Sequence, residues 1–146
     1  MKYITFLFLV LSISSCTYNV NAISKNNIED KEDAEKITNA LYESIQNEDL
    51  EKAHVYFSKR FLEVTNKDEL DSIIIKTNNQ LGKIIKVELM EWKTEVKKGT
   101  SPVSDYALTY KIGREKYESE ELIILQKENG EIKILGYRVN SEGFIK

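Results

Sequence analysis

The 146-residue chain has one cysteine, one proline, one histidine, one tryptophan and only six glycines. With Cys16 as the sole thiol there is no internal disulfide and no zinc site of the cysteine type, and with His54 as the sole imidazole there is no histidine-rich metal site. Neither a Ser-His-Asp nor a Cys-His order can be assembled from one histidine and one cysteine near the N-terminus. The glycines stand singly at positions 82, 99, 113, 130, 136 and 143, so no loop is built to cradle phosphates. No excess of one charge is present either: 21 basic and 24 acidic residues give a net charge of −3. The lysines are scattered among acids, which excludes the clustered basic surface that nucleic acid requires. Three of the basic residues are arginine, a bias toward lysine that points to an AT-rich genome. The one apolar run, Ile4 to Ile13, is too short to span a bilayer, which takes roughly 20 residues.

That run has a shape of its own. It follows Lys2 and leads through Ile13, Ser14 and Ser15 to Cys16. A basic start, a short apolar core and small residues before a cut are the parts of a secretory signal. With an aliphatic residue three places before the cysteine and small residues at the next two, the segment resembles a bacterial lipoprotein signal. The resemblance implies export, cleavage before Cys16, and acylation of Cys16 with at least two chains, enough for stable membrane attachment. Thr17, rather than aspartate, follows the cysteine; in a Gram-negative host this favours the outer membrane. Val20-Asn21-Ala22 offers an alternative site, whose cleavage would release a secreted or periplasmic protein starting at Ile23.

Loss of residues 1–15 leaves 131 of the 146 residues, the size of one domain. Thr17 to Glu29 is polar and lacks an apolar period, so 16–29 reads as a lipidated tether and 30–146 as one domain. Three helices are expected. The first runs from about Asp30 to Gln46 on the stripe Ala34, Ile37, Leu41 and Ile45. Asn47 caps the second, which carries Leu50, Ala53 and Phe57. A link through Phe61 and Leu62 leads to the third, with Leu70, Ile73, Ile74, Thr77 and Leu81, started by Thr65 or Asn66 and stopped by Gly82. From Gly82 the pattern alternates. Ile85, Val87 and Leu89 hold one parity and Met90, Trp92 and Val96 the other, which predicts a bulge in a long first strand. Tyr106, Leu108, Tyr110 and Ile112 mark a second strand and Ser119 to Lys127 a third. Asn129-Gly130 then turns into a fourth, Ile132 to Asn140.

Three helices before a four-stranded antiparallel meander make an α+β fold. That order, the helix junction Asn47-Glu48-Asp49-Leu50, the stretch Ala53 to Phe57, Leu81-Gly82-Lys83 before the long strand and Leu135-Gly136-Tyr137 in the last resemble the nuclear transport factor two-like superfamily, and within it small exported bacterial proteins. Its rival, a cystatin-like fold, has one helix where this chain has three. The resemblance implies a cone-shaped pocket between helices and sheet, used by some members for isomerase or dehydratase chemistry and by others for binding. Sheet-mediated homodimers are also common in it.

The residues that could carry chemistry are few. His54 suits proton transfer near neutrality, but its place at the margin of an amphipathic stripe suits a partly exposed structural role. Glu91, near the expected bulge, is the other candidate acid or base. Trp92, Tyr106, Tyr110 and Tyr137 are strand aromatics, read first as packing and second as the lining of a binding pocket. Tyr137 and Arg138 must point to opposite faces. Glu118, Glu120 and Glu121, with Arg114 and Lys116 nearby, read as a solvated hairpin edge. No cofactor or metal is expected. The expected partners are the membrane, through the lipid on Cys16, and either a second copy or another envelope protein. A binding module is favoured over an enzyme.

Overall fold

The computed structural model describes residues 22–99 and 102–145. Cys16, the signal segment 1–15 and most of the alternative cut at Val20-Asn21-Ala22 lie outside these residues. In the described part, no helix is long and apolar enough to cross a membrane.

The elements run β1 (Ala22–Lys25), α1 (Ile28–Gln46), α2 (Leu50–His54), α3 (Lys59–Val64), α4 (Lys67–Leu81), β2 (Ile84–Lys98), β3 (Val103–Arg114), β4 (Ser119–Glu128) and β5 (Glu131–Asn140), with a final 3-10 turn at Glu142–Phe144. The fold is α+β: helices precede an open antiparallel sheet of five strands in the order β1-β2-β3-β4-β5. The expected four strands gain a fifth. Ala22–Lys25, expected as tether, pairs with the tail of β2 from Ala22 opposite Lys98 to Lys25 opposite Glu95. Asn26 secures the junction, its Oδ1 accepting from Thr94 N and its own N–H donating to Thr94 O. The sheet therefore begins at Ala22, inside the stretch expected as tether.

Local chemistry sets the helix ends. Asn27 caps α1, with its Oδ1 2.7 Å from Glu29 N, and acids in the first turn suit the positive end of the helix. Asp49, not the expected Asn47, caps α2 through Lys52 N at 3.0 Å. Ser58 caps α3, a two-turn helix where only a link was expected. Asn66 caps α4 through Glu69 N at 3.0 Å, and Gly82, at φ +86°, ends it in a conformation that suits glycine.

One face of the sheet is covered by the helices. Tyr106, Leu108, Tyr110 and Ile112 from β3, Ile123 and Leu125 from β4 and Ile134 from β5 meet Ala34, Leu41, Tyr42 and Ile45 of α1 and Leu70 and Ile74 of α4. The parity change in β2 is a bulge: the register slips between Leu89 and Glu91, with a second slip between Ile84 and Lys86. A third slip sits in β5, opposite Ile124/Leu125. Bulges bend a sheet and interrupt a strand edge that would otherwise invite pairing. The other edge is partly occupied. Ile134 N donates to Tyr56 O and Ser58 N to Ile134 O, both at 2.8 Å, so residues 56–58 lie along β5.

Candidate functional site

Three places concentrate polar chemistry. The first is buried between helices and sheet. Arg114 ends the inward row of β3, and Glu121 lies on the inward row of β4 with Ser119, Ile123 and Leu125. Their side chains are 1% and 0% exposed and form an ion pair at 2.7 Å. Every acceptor direction of the carboxylate is used. Oε1 accepts from Arg114 Nη2 at 2.7 Å and Ser119 Oγ at 2.9 Å, and Oε2 accepts from Tyr137 OH at 2.7 Å and Tyr42 OH at 3.2 Å. Arg114 also donates through Nε to Ser119 Oγ at 3.1 Å and through Nη1 to Asn78 Oδ1 at 2.9 Å and Gly82 O at 3.2 Å. The site thus joins α1, α4, β3, β4 and β5. Burial, reinforced by the Glu121 charge, pushes the Tyr42 and Tyr137 phenols well above their usual range.

The sequence reading of Glu121 and Arg114 as members of a solvated edge is overturned; Lys116, Glu118 and Glu120 are the members that are exposed. A carboxylate with no exposed surface and four donors has no lone pair to offer a substrate. The physical role of this cluster is to tie five elements together.

The second place is His54. It is 3% exposed, not partly exposed as expected. Its Nε2 lies 2.7 Å from Asp71 Oδ1 of α4, and its Nδ1 has no hydrogen-bond partner and stands 3.7 Å from the exposed Glu51. It borders a shallow hollow of about 420 Å³ with Lys59, Glu63 and Lys67. Neither ring nitrogen is hydrogen-bonded to a strand tyrosine. The pair fastens α2 to α4.

The third place is the sheet face that no helix covers. The register places residues in rows across β2, β3, β4 and β5: Lys93, Ala107, Ile124 and Gly136 in one, and Glu91, Thr109, Leu122 and Arg138 in the next. In both rows the middle members are half-buried and uncharged, while the Lys93, Glu91 and Arg138 ends are exposed. Beyond them Glu88, Lys111, Glu120 and Asn140 form a polar row. An open groove of about 740 Å³ lies here, lined by Met90, Glu91, Thr109, Lys111, Glu118 and Glu120 among others. Glu91 is therefore a surface residue beside the bulge, next to Tyr110 in register but on the opposite face of the sheet.

The four aromatics singled out from the sequence all occupy the inward face. Tyr106 and Tyr110 are fully buried. Trp92, opposite Leu108, and Tyr137, opposite Ile123, are half-buried against the core. Tyr110 OH is 2.6 Å from Thr38 Oγ1 and its ring meets Tyr42 edge-on at 5.3 Å. Burial pushes its phenol up to about 12. The packing reading of these rings holds for Tyr106 and Tyr110. Tyr137 does point away from the exposed Arg138. Among the described residues no group of three or more histidine, cysteine or acidic side chains could hold a metal ion.

Compared with family models, curated proteins and solved structures, the chain matches none.

Proposed function

We propose that the protein is a membrane-anchored binding module of a bacterial cell envelope, lipidated on Cys16 and non-catalytic, built on a variant of the nuclear transport factor two-like fold. The observation that carries the binding reading is the uncovered sheet face. It has a half-buried uncharged middle of Ala107, Thr109, Leu122 and Ile124 and a charged rim of Glu91, Lys93, Lys111 and Arg138. An apolar centre within a polar rim is the common anatomy of a protein interface. The sealed Glu121 cluster supports the same reading from the other side, because the space where a member of that superfamily would hold a substrate is filled by Tyr42, Tyr110, Arg114 and Glu121.

Photo-crosslinking in intact cells tests this reading. A crosslinker placed at Thr109 or Leu122 on the uncovered face is expected to trap one defined protein, a second copy or an envelope neighbour. A crosslinker at exposed Ile73 of α4 is expected to trap none. Equal labelling from the two faces would end the proposal. Mass measurement of the membrane-extracted chain tests the anchor, and an unmodified mature chain starting at Ile23 would refute it.

A second reading, an acid–base enzyme of the isomerase or dehydratase type, has one observation in its favour. Asp71 holds His54 Nε2 and leaves Nδ1 without a hydrogen bond beside an open hollow. His54 is the only histidine, so its ring signals are unambiguous in NMR. Ring shifts that stay fixed when a cellular small-molecule extract is added would dismiss the enzyme.

A further inference from the structure

Because β1 occupies part of the expected tether, fewer residues separate the fold from Cys16 than the sequence alone suggests. With β1 beginning at Ala22, only residues 17–21 separate Cys16 from the sheet. However those residues are arranged, six Cα–Cα steps span at most about 20 Å. On the lipoprotein reading, whatever surrounds the N-terminal end of β1 is therefore held within that distance of the lipid.

What surrounds it suits a lipid surface. The register sets Ile23, Lys97 and Val103 side by side on three adjacent strands, with Ala22 opposite Lys98 at the very end. Ile23 and Val103 are 54% and 44% exposed, apolar side chains with no core to enter. Two consecutive lysines stand between and beside them. The acids closest in the next row are occupied: Glu95 by Lys25 at 3.3 Å and Asp105 by Gln126 at 2.6 Å. Exposed aliphatic side chains flanked by lysine are the combination that enters the boundary between headgroup and acyl chain, the lysines facing anionic headgroups.

We propose that this end of the sheet, with Ile23, Lys97, Lys98 and Val103, rests on the anionic lipid surface that holds the acylated Cys16. The proposal rests on the lipoprotein reading and adds to it an orientation. The strands then rise away from the bilayer. The groove at Glu91, six residues along β2 from Lys97, stands about 20 Å above the contact, at about 3.3 Å per strand residue. Ile23, Lys97 and Val103 belong to the uncovered face, at the end nearest the anchor, so that end meets lipid while the middle, from Lys93 to Arg138, is left to a partner in the envelope.

The test uses the full chain extracted from bacterial membranes and reconstituted into vesicles of phosphatidylcholine with or without phosphatidylglycerol. A thioether-linked Cys16 does not react with maleimide, so a cysteine introduced by Ile23→Cys or Val103→Cys takes a fluorophore alone. Ile85→Cys, at the other end of β2 and 67% exposed, is the control. The label at 23 or 103 is expected to be quenched by brominated lipid at least threefold more than the label at 85. Lys97→Glu with Lys98→Glu is expected to abolish the difference on phosphatidylglycerol vesicles. A lipidated chain whose labels at 23, 103 and 85 are quenched alike overturns the orientation and leaves the anchor standing. A Cys16 that takes maleimide, with a mass lacking lipid, overturns the anchor and the orientation together.

Discussion

Removing Arg114 alone should be among the most damaging single changes available in this protein. Arg114→Met leaves the Glu121 carboxylate, which has no exposed surface, with only Ser119, Tyr42 and Tyr137 as donors. Breaking a buried pair by deleting one partner costs about 3–5 kcal/mol, because the remaining charge is uncompensated. Domains of this size are stable by only about 5–15 kcal/mol. Glu121→Leu should cost a similar amount, since it strands the guanidinium and two phenols. The double variant should cost at least about 2 kcal/mol less than the sum of the two singles, for no charge is then left buried. Tyr42→Phe separates the contributions further. In the natural chain it deletes a hydrogen bond to a charged acceptor, worth about 1.5–3 kcal/mol. In the Glu121→Leu background the same change removes an orphaned hydroxyl and should be neutral or stabilising. Urea unfolding of residues 22–146, followed by circular dichroism, measures all of these. Single variants that each cost under about 1 kcal/mol, or a strictly additive double variant, would refute the account of a buried, saturated cluster.

Alkaline stability gives an independent check. Tyr42, Tyr110 and Tyr137 have phenol pKa values raised by burial, so the folded state holds their protons more tightly than the unfolded chain. Their stabilisation is complete below the unfolded phenol value of about 10 and falls as pH rises beyond it. For Tyr110 the loss ends near 12. Tyr110→Phe should flatten the decline above pH 10 by about 1.4 kcal/mol per pH unit, read from urea midpoints at stepped pH; an unchanged slope would count against it. Gly82→Ala should destabilise by more than about 1 kcal/mol, because φ is +86° and the new Cβ would lie 2.7 Å from Glu115 Cβ. A thermal midpoint equal to that of the natural chain would contradict this. Ile134→Ala empties a fully buried position in β5 and should cost about 2–5 kcal/mol by the same unfolding assay.

The helices and the sheet were legible where periodicity was long. The stripe of α1 emerges as Ala34, Leu41 and Ile45 in the core, and that of α4 as Leu70, Ile74, Thr77 and Leu81. Ile73, placed on the same stripe, is 43% exposed because the apolar pair Ile73-Ile74 straddles its edge. The bulge at Met90 was legible because a parity change has few other causes. Two elements were not. Ala22-Ile23-Ser24-Lys25 has one strong strand former, and it becomes a strand only because the tail of β2 lies ready beside it. Lys59–Val64 is too short to nucleate by itself. It is held by the Ser58 cap and by Phe61, whose ring centre lies 4.6 Å from that of Phe57. Both elements are made by tertiary contact, which local pattern does not carry.

The buried cluster was half legible. Tyr106, Leu108, Tyr110 and Ile112 alternate without a break, and the next residue of that parity is Arg114. Read to its end, the row puts a guanidinium inside, where it requires an acid. Which acid depends on register. Glu118, Glu120 and Glu121 are indistinguishable by composition, and Leu122 to Leu125 is apolar at every position, so β4 has no parity of its own to read. The pairing of Ser119 with Ile112 and Glu121 with Tyr110 decides it. Two of the three carboxylates then face water and one faces Arg114. A one-residue slip in that hairpin would turn Glu120 inward and Glu121 out. It would replace the four donors around Glu121 by a mismatched face, so the cluster also fixes the register. A polar core of this kind selects one pairing of strands over its neighbour. That gives the saturated Glu121 a reason to be buried without any substrate to act on.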